Sequence, residues 1–252
     1  TVEKAPVVPV VTIDPLLDLL KLPDLVNGSS SAAQVLTGVD GSNVFYFASA
    51  ATTGNDRVTN FGHSDLLVVD TKLYDGNNDG IIALSGNKVS IDAPEVGDFV
   101  QLDGVNALRF LGTDVAGHSV YGDAAVRPNG AEEGTFVNNV LNGDIGDETA
   151  NVFLFDTGLG LDLGDDSIGR FGKRDLVVTT SKLVDGNNDG IIVGTAGKFG
   201  LPNDTGSILL KGTTGAAVDS LEFDGSILRD GVTYYVYSLV GTTGTDTTDI
   251  SF

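Results

Sequence analysis

Two stretches of this chain carry the same eight residues: Asp75-Gly76-Asn77-Asn78-Asp79-Gly80-Ile81-Ile82 and Asp185-Gly186-Asn187-Asn188-Asp189-Gly190-Ile191-Ile192. Side-chain oxygens fall at positions 1, 3 and 5, as Asp75, Asn77 and Asp79 in the first copy and Asp185, Asn187 and Asp189 in the second. That spacing lets a tight loop aim three oxygens at one point, the arrangement with which a hard divalent cation begins its shell of roughly six to eight oxygens. Glycine at position 6 supplies the positive φ that the sharp turn needs. The backbone carbonyl at position 7, Ile81 or Ile191, adds another oxygen, and the apolar residue at position 8 seats the loop on a core. Calcium suits such a flexible oxygen set better than Mg2+, which demands tighter octahedral geometry. A polar turn between two strands needs no ion. It also has no reason to repeat eight residues identically within one chain.

The loop resembles the first two-thirds of an EF-hand or dockerin loop. It departs at position 12, where a Glu is usual and this chain has Gly86 and Ala196. Its flanks read as strands, so a helix–loop–helix hand is not expected. The missing carboxylate must come from outside the loop, or water takes its place. Asp65 and Asp175 occupy matching places in the two copies and are the first candidates; Asp56 and Asp166 are the next.

The loops sit inside a longer duplication. FGHSDLLVVDTKLYDGNNDGII from Phe61 matches FGKRDLVVTTSKLVDGNNDGII from Phe171 without a gap. Upstream, VLTGVDGSNVFYF answers VLNGDIGDETANVFLF; downstream, ALRFLG answers SLEFDG and HSVYGD falls near TYYVYS. Repetition on this scale implies tandem modules, placed at residues 35–126 and 140–252 with an inter-module loop at 127–139. Short apolar or alternating runs such as NVFYF, DLLVVD and FVQLD are broken at close intervals by Gly, Asn and Asp, and no sustained helical period appears. An all-β fold follows: tandem β-sandwich or β-roll modules. Residues 1–34 read differently, as an extended arm with Pro6 and Pro9, one short helix opened by Asp14-Pro15, and a linker at 27–34.

With 35 acidic against 14 basic side chains, the chain has a net charge of −21. Such a surface repels nucleic acid and anionic membranes and attracts divalent cations. No apolar run reaches the ~18–20 residues of a membrane span. The absence of cysteine removes disulfides, thiolate metal sites and Cys nucleophiles. An exported protein without disulfides needs another source of stability, and bound calcium is one. The chain does not begin with Met, which fits a processed form whose export signal has been removed.

GNDRVTNFGHSDLLVVD and GDDSIGRFGKRDLVV resemble the segment that closes the β-roll of repeats-in-toxin proteins, calcium-binding extracellular proteins exported by bacterial type I secretion. The C-terminal TDTTDISF is similar to the tails of type I secretion substrates. The resemblance spans some 20–25 residues per module, and the full glycine-rich nonapeptide is absent: residues 51–54 are ATTG and 161–164 are LDLG. What it implies is a bacterial exported protein that folds on meeting extracellular calcium.

Catalytic motifs are missing. The two histidines, His63 and His118, are not repeated between copies, since His63 aligns with Lys173. The expectation is therefore a secreted, calcium-stabilised structural protein of the bacterial cell surface. An adhesin, a surface-layer component or a filament subunit would fit, with self-association or other surface and matrix components as partners. The valine-rich arm at residues 1–13 suggests assembly by strand addition to a neighbour. Two alternatives have other motivations. One is an extracellular module binding polysaccharide or haem through Tyr234, Tyr235 and Tyr237 or the histidines. The other is a calcium-dependent extracellular hydrolase using paired carboxylates.

Overall fold

The computed structural model describes residues 19–21, 25–48, 54–91, 97–202, 205–242 and 246–252. The fold is all-β and duplicated, as expected. Module 1 contains β1 (Leu25–Asn27), β2 (Val35–Thr37), β3 (Val44–Phe47), β4 (Asp56–Thr59), β5 (Leu66–Val69), β6 (Ile81–Ala83), β7 (Lys88–Ser90), β8 (Phe99–Leu102), β9 (Ala107–Thr113) and β10 (Ser119–Asp123). Its six-stranded sheet runs β1-β3-β5-β10-β9-β6 and its four-stranded sheet β2-β4-β8-β7. Module 2 repeats the plan with β11 (Glu132–Glu133), β12 (Val140–Asn142), β13 (Val152–Phe155), β14 (Asp165–Phe171), β15 (Leu176–Thr179), β16 (Ile191–Val193), β17 (Lys198–Gly200), β18 (Ser207–Gly212), β19 (Ser220–Arg229) and β20 (Val232–Leu239). The matching orders are β11-β13-β15-β20-β19-β16 and β12-β14-β18-β17.

The first half of each module is a two-sided coil. Leu25, Val44 and Leu66 pair in parallel on one side; Val35 and Arg57 pair in parallel on the other. Parallel neighbours need long crossovers. Here each crossover is a strand of the opposite sheet, not a helix, which is why helical periodicity is missing. In the second half β8 still pairs in parallel with β4, as β18 does with β14, and the remaining strands close the coil with antiparallel pairs.

The coil starts earlier than the repeat is legible in the sequence. β1 and β11 lie within the 1–34 and 127–139 segments; three residues and two residues respectively are too few to show a period. Of the expected N-terminal helix, Leu19–Lys21 form one 3-10 turn; the arm at 1–13 and the Asp14-Pro15 start lie outside the described residues. Among the described residues no helix is long and apolar enough to cross a membrane.

Every residue of β5 and β15 is buried. Leu67 and Val69 face Val58, Val100 and Leu102 across module 1, while Leu66 and Val68 point the other way and join a core continuous with Phe136, Phe153 and Val177 of module 2. In module 2, Leu176 and Val178 share a third core with Val126, Ala131 and Val236, against which Ile250 and Phe252 pack. A sheet covered on both faces needs a continuous apolar run, and LLVV and LVV are such runs. Each of these side chains contributes roughly 1.5–3 kcal/mol on burial.

Arg109 of β9 lies wholly buried between the modules. Its guanidinium donates to Glu133 on β11, to Asp156 just after β13, and to the carbonyl of Asp123 at 3.1 Å. Burial disfavours the charge, but Glu133 and Asp156 more than offset it and hold the guanidinium protonated above its ordinary range. Beside it, the Phe136 N–H donates to the Leu111 carbonyl at 3.0 Å, a backbone tie between β9 and the segment after β11.

Candidate metal loops

Each DGNNDG loop is hung from a tyrosine. The Leu73 N–H donates to the Tyr121 hydroxyl at 2.7 Å, and the Leu183 N–H to that of Tyr237 at 2.8 Å. Both leucines and both tyrosines are buried, which fixes the chain two residues ahead of Asp75 and Asp185. At the far end, Ile82 and Ile192 are buried on the edge strands β6 and β16, the seat expected for position 8.

Between these anchors the chain curls around the first aspartate. Asp75 Oδ1 accepts from the Asn78 N–H at 2.9 Å, and its Oδ2 from the Gly80 N–H at 2.9 Å. Asp185 repeats both contacts at 2.8 Å. The turn requires φ of +57° at Asn78 and +80° at Gly80, matched by +59° at Asn188 and +86° at Gly190. Asn tolerates this region and Gly enters it without strain. The amide N–H groups, that of Gly190 foremost, hold the Asp185 carboxyl below the usual carboxylate range, so it is ionised at neutral pH.

Asn77 Nδ2 donates to Asp79 Oδ2 at 2.8 Å, and Asp79 Oδ1 accepts from the Ile81 N–H at 2.8 Å; Asn187, Asp189 and Ile191 do the same. Ladder geometry also orients the position-7 carbonyls. The Gly80 carbonyl accepts from Phe110 and the Leu84 N–H donates to Asn106, so even-numbered residues of β6 face β9. Backbone groups alternate sides along a strand; the Ile81 carbonyl therefore faces away from β9, on the side where its N–H meets Asp79. Gly190 to Phe223 and Gly194 to Asp219 place Ile191 in the same way. Each loop thus offers carboxylate, amide and carbonyl oxygens and no sulfur or nitrogen ligand. This donor set fits a hard cation in kind and falls short of a full shell in number.

Asp65 and Asp175 are not brought to the loops. Both are buried, and both staple successive turns of the coil. Asp65 Oδ1 accepts from the Asn43 N–H at 2.7 Å and Oδ2 from the Gly62 N–H at 2.7 Å. Asp175 takes the N–H groups of Asn151 and Gly172. Asp56 and Asp166 staple the other corner through the N–H groups of Gln34 and Asn139, each leaving its Oδ2 buried without a partner. Burial pushes the Asp166 carboxyl up to about 7 and the Asp175 carboxyl up to about 6, each against the pull of backbone donors. Among the described residues no three His, Asp or Glu side chains gather as a metal-holding group.

The two loops have different neighbours. The first borders a groove of about 330 Å3 lined by Lys72, Arg127, Glu132 and Glu133. The second borders a slot of about 580 Å3 with apolar walls: Val184, Ile191, Val193, Phe199 and Leu201.

No family model, curated protein or solved structure matches this chain.

The remaining candidates are dispersed. His63 Nδ1 lies 3.0 Å from Asp123 Oδ2 without the alignment of a hydrogen bond, and His118 Nδ1 lies 2.8 Å from Asp114 Oδ2. Among the described residues neither histidine bonds a serine. Tyr234 is buried with its hydroxyl on the Val126 carbonyl, Tyr237 holds Leu183, and Tyr235 is half-buried beside Phe223. The tyrosine anchors have a signal in the sequence: Val120-Tyr121 and Val236-Tyr237 are the shared pair of HSVYGD and TYYVYS, and they sit at matching positions opposite Leu67 and Val177.

Proposed function

We propose that this chain is a secreted, calcium-stabilised structural protein of a bacterial surface, an adhesin, surface-layer component or self-assembling filament subunit. The observation that carries this reading is the duplicated oxygen-lined loop, built with the same internal bonds in both modules and seated where an edge strand begins. A cation there would join the edge strand to the chain entering it, and binding to the folded state alone raises stability by mass action. The acidic balance and the absence of cysteine agree with calcium serving where disulfides would otherwise serve. The test is thermal unfolding in calcium and in EDTA. The reading expects a higher melting temperature in calcium; identical curves would overturn it.

A second reading has its own observation. A cleft of about 500 Å3 between the modules is lined by Ser64, Thr180, Thr233 and Tyr235 together with His63 and Asp156. Hydroxyls and an aromatic edge are the groups that meet polysaccharide, so within the ligand-binding alternative the cleft favours polysaccharide over haem. Glycan-array binding that Tyr235→Ala abolishes would support it; an empty array would remove it.

A further inference from the structure

We infer that the slot between β16 and β17 receives residues Val7–Ile13 of a second copy of this chain, added as a strand on the open edge of β16. This rests on the self-assembly reading above and names its donor and acceptor. β16 and β17 are the last strands of the two sheets of module 2. The sandwich is therefore open between them, and the slot is that opening. Val184 and Val193, each 76 % exposed, stand on its walls with Phe199 and Leu201 behind. Solvated apolar surface concentrated at one sheet edge is an interaction surface.

The backbone supplies the rest. β16 presents Ile192 to β19, so Val193 directs its N–H and C=O outward, where no strand is paired among the described residues. Such an edge is a template for another chain. Residues 7–13, VVPVVTI, form a run of β-branched side chains interrupted by one proline. Proline belongs on an edge strand, where the row of backbone groups away from the partner faces solvent. The run is uncharged, so it approaches a chain of net charge −21 without repulsion. The corresponding surface of module 1 differs: Ala83 replaces Val193, and the first loop faces Lys72, Arg127 and Glu132. The acceptor is therefore in module 2.

The geometry points to a second copy. The described chain enters its sheet at β1, while β16 corresponds to β6, the opposite edge of that sheet order. Unlike donor and acceptor surfaces make a heterologous contact, which propagates as an open chain instead of closing as a dimer. Gly186 and Asn187 of the second loop line the slot, so a cation at Asp185 and Asp189 would set one wall and neutralise the carboxylates nearest to it.

The chain has no cysteine, so introduced ones report a single contact. Full-length Val10→Cys and full-length Val193→Cys proteins, mixed in calcium under mild oxidation, are expected to give a disulfide between the two variants, identified by peptide mass. Val115→Cys, exposed on module 1, serves as the control acceptor and is expected to give none. Val193→Lys is expected to melt like the wild type and to lose assembly by light scattering. Equal cross-linking to the control, or no cross-link while wild-type protein assembles, would overturn the inference and leave the structural reading standing. A protein carrying both Val10→Cys and Val193→Cys that closes on itself as a monomer would overturn the second-copy assignment. Wild-type protein that stays monomeric in calcium would remove the assembly reading itself.

Discussion

Arg109 of module 1 and Asp156 of module 2 form an ion pair with both side chains buried, the guanidinium Nη2 donating to carboxylate Oδ2. Glu133 completes the group from the first strand of module 2. The positions are not repeated: Arg109 aligns with Glu222, and Asp156 with Ala48. The duplicated modules are thus joined by residues in which they differ.

Arg109→Met is expected to destabilise the protein by about 3–5 kcal/mol, because it strands two carboxylates away from water. Urea unfolding checks this. Adding Glu133→Gln and Asp156→Asn is expected to recover much of the loss, since an uncharged group replaces the whole ion cluster. If the triple variant is no better than Arg109→Met, the damage lies in packing and not in charge.

The buried aspartates predict the direction of the pH dependence. Asp166 titrates near 7 and Asp175 near 6 when folded, against about 3.9 in an unfolded chain. Between these values the folded state holds more protons than the unfolded one, so stability falls as pH rises. The contribution is fully present below about pH 4 and is lost by about pH 7. Asp166→Asn is expected to flatten the decline of melting temperature between pH 5 and 8 while keeping the Asn139 contact. An unchanged slope would show that Asp166 is ionised in the fold.

If the loops bind calcium as proposed, Asp75→Ala and Asp185→Ala are each expected to remove one site by calorimetric titration, and the double variant both. In EDTA each substitution is still expected to lower the melting temperature, because the carboxylate organises the loop's own N–H groups. A calcium increment in melting temperature that survives in the double variant would place the ion elsewhere.

Tyr121→Phe and Tyr237→Phe leave the Leu73 and Leu183 N–H groups buried without an acceptor. Each is expected to destabilise by about 1–3 kcal/mol, and to weaken calcium binding at its own loop only. A loss shared by both loops would mean that the anchors act on the whole fold.

Much of the fold was legible because its signals are local. DLLVVD and NVFYF announce buried strands, and Asn78-Asp79-Gly80 announces a turn at positive φ. The first strands escaped because β11 is only Glu132–Glu133, held by its pairing to Phe153 and Leu154. The tyrosine anchors escaped because each hydroxyl bonds an N–H some fifty residues away.

By itself the sequence determined the duplication, the all-β class and the conformation of the two DGNNDGII loops, since those follow from side-chain chemistry within a few residues. Where the remaining aspartates point was decided by tertiary structure. Asp65 and Asp175, matched between copies and acidic like the loop residues, meet the N–H groups of Asn43 and Asn151 one coil turn below. A parallel coil presents unpaired backbone donors at every corner, and a buried carboxylate satisfies them. Only the stacking of one turn on another brings those donors and that acceptor together.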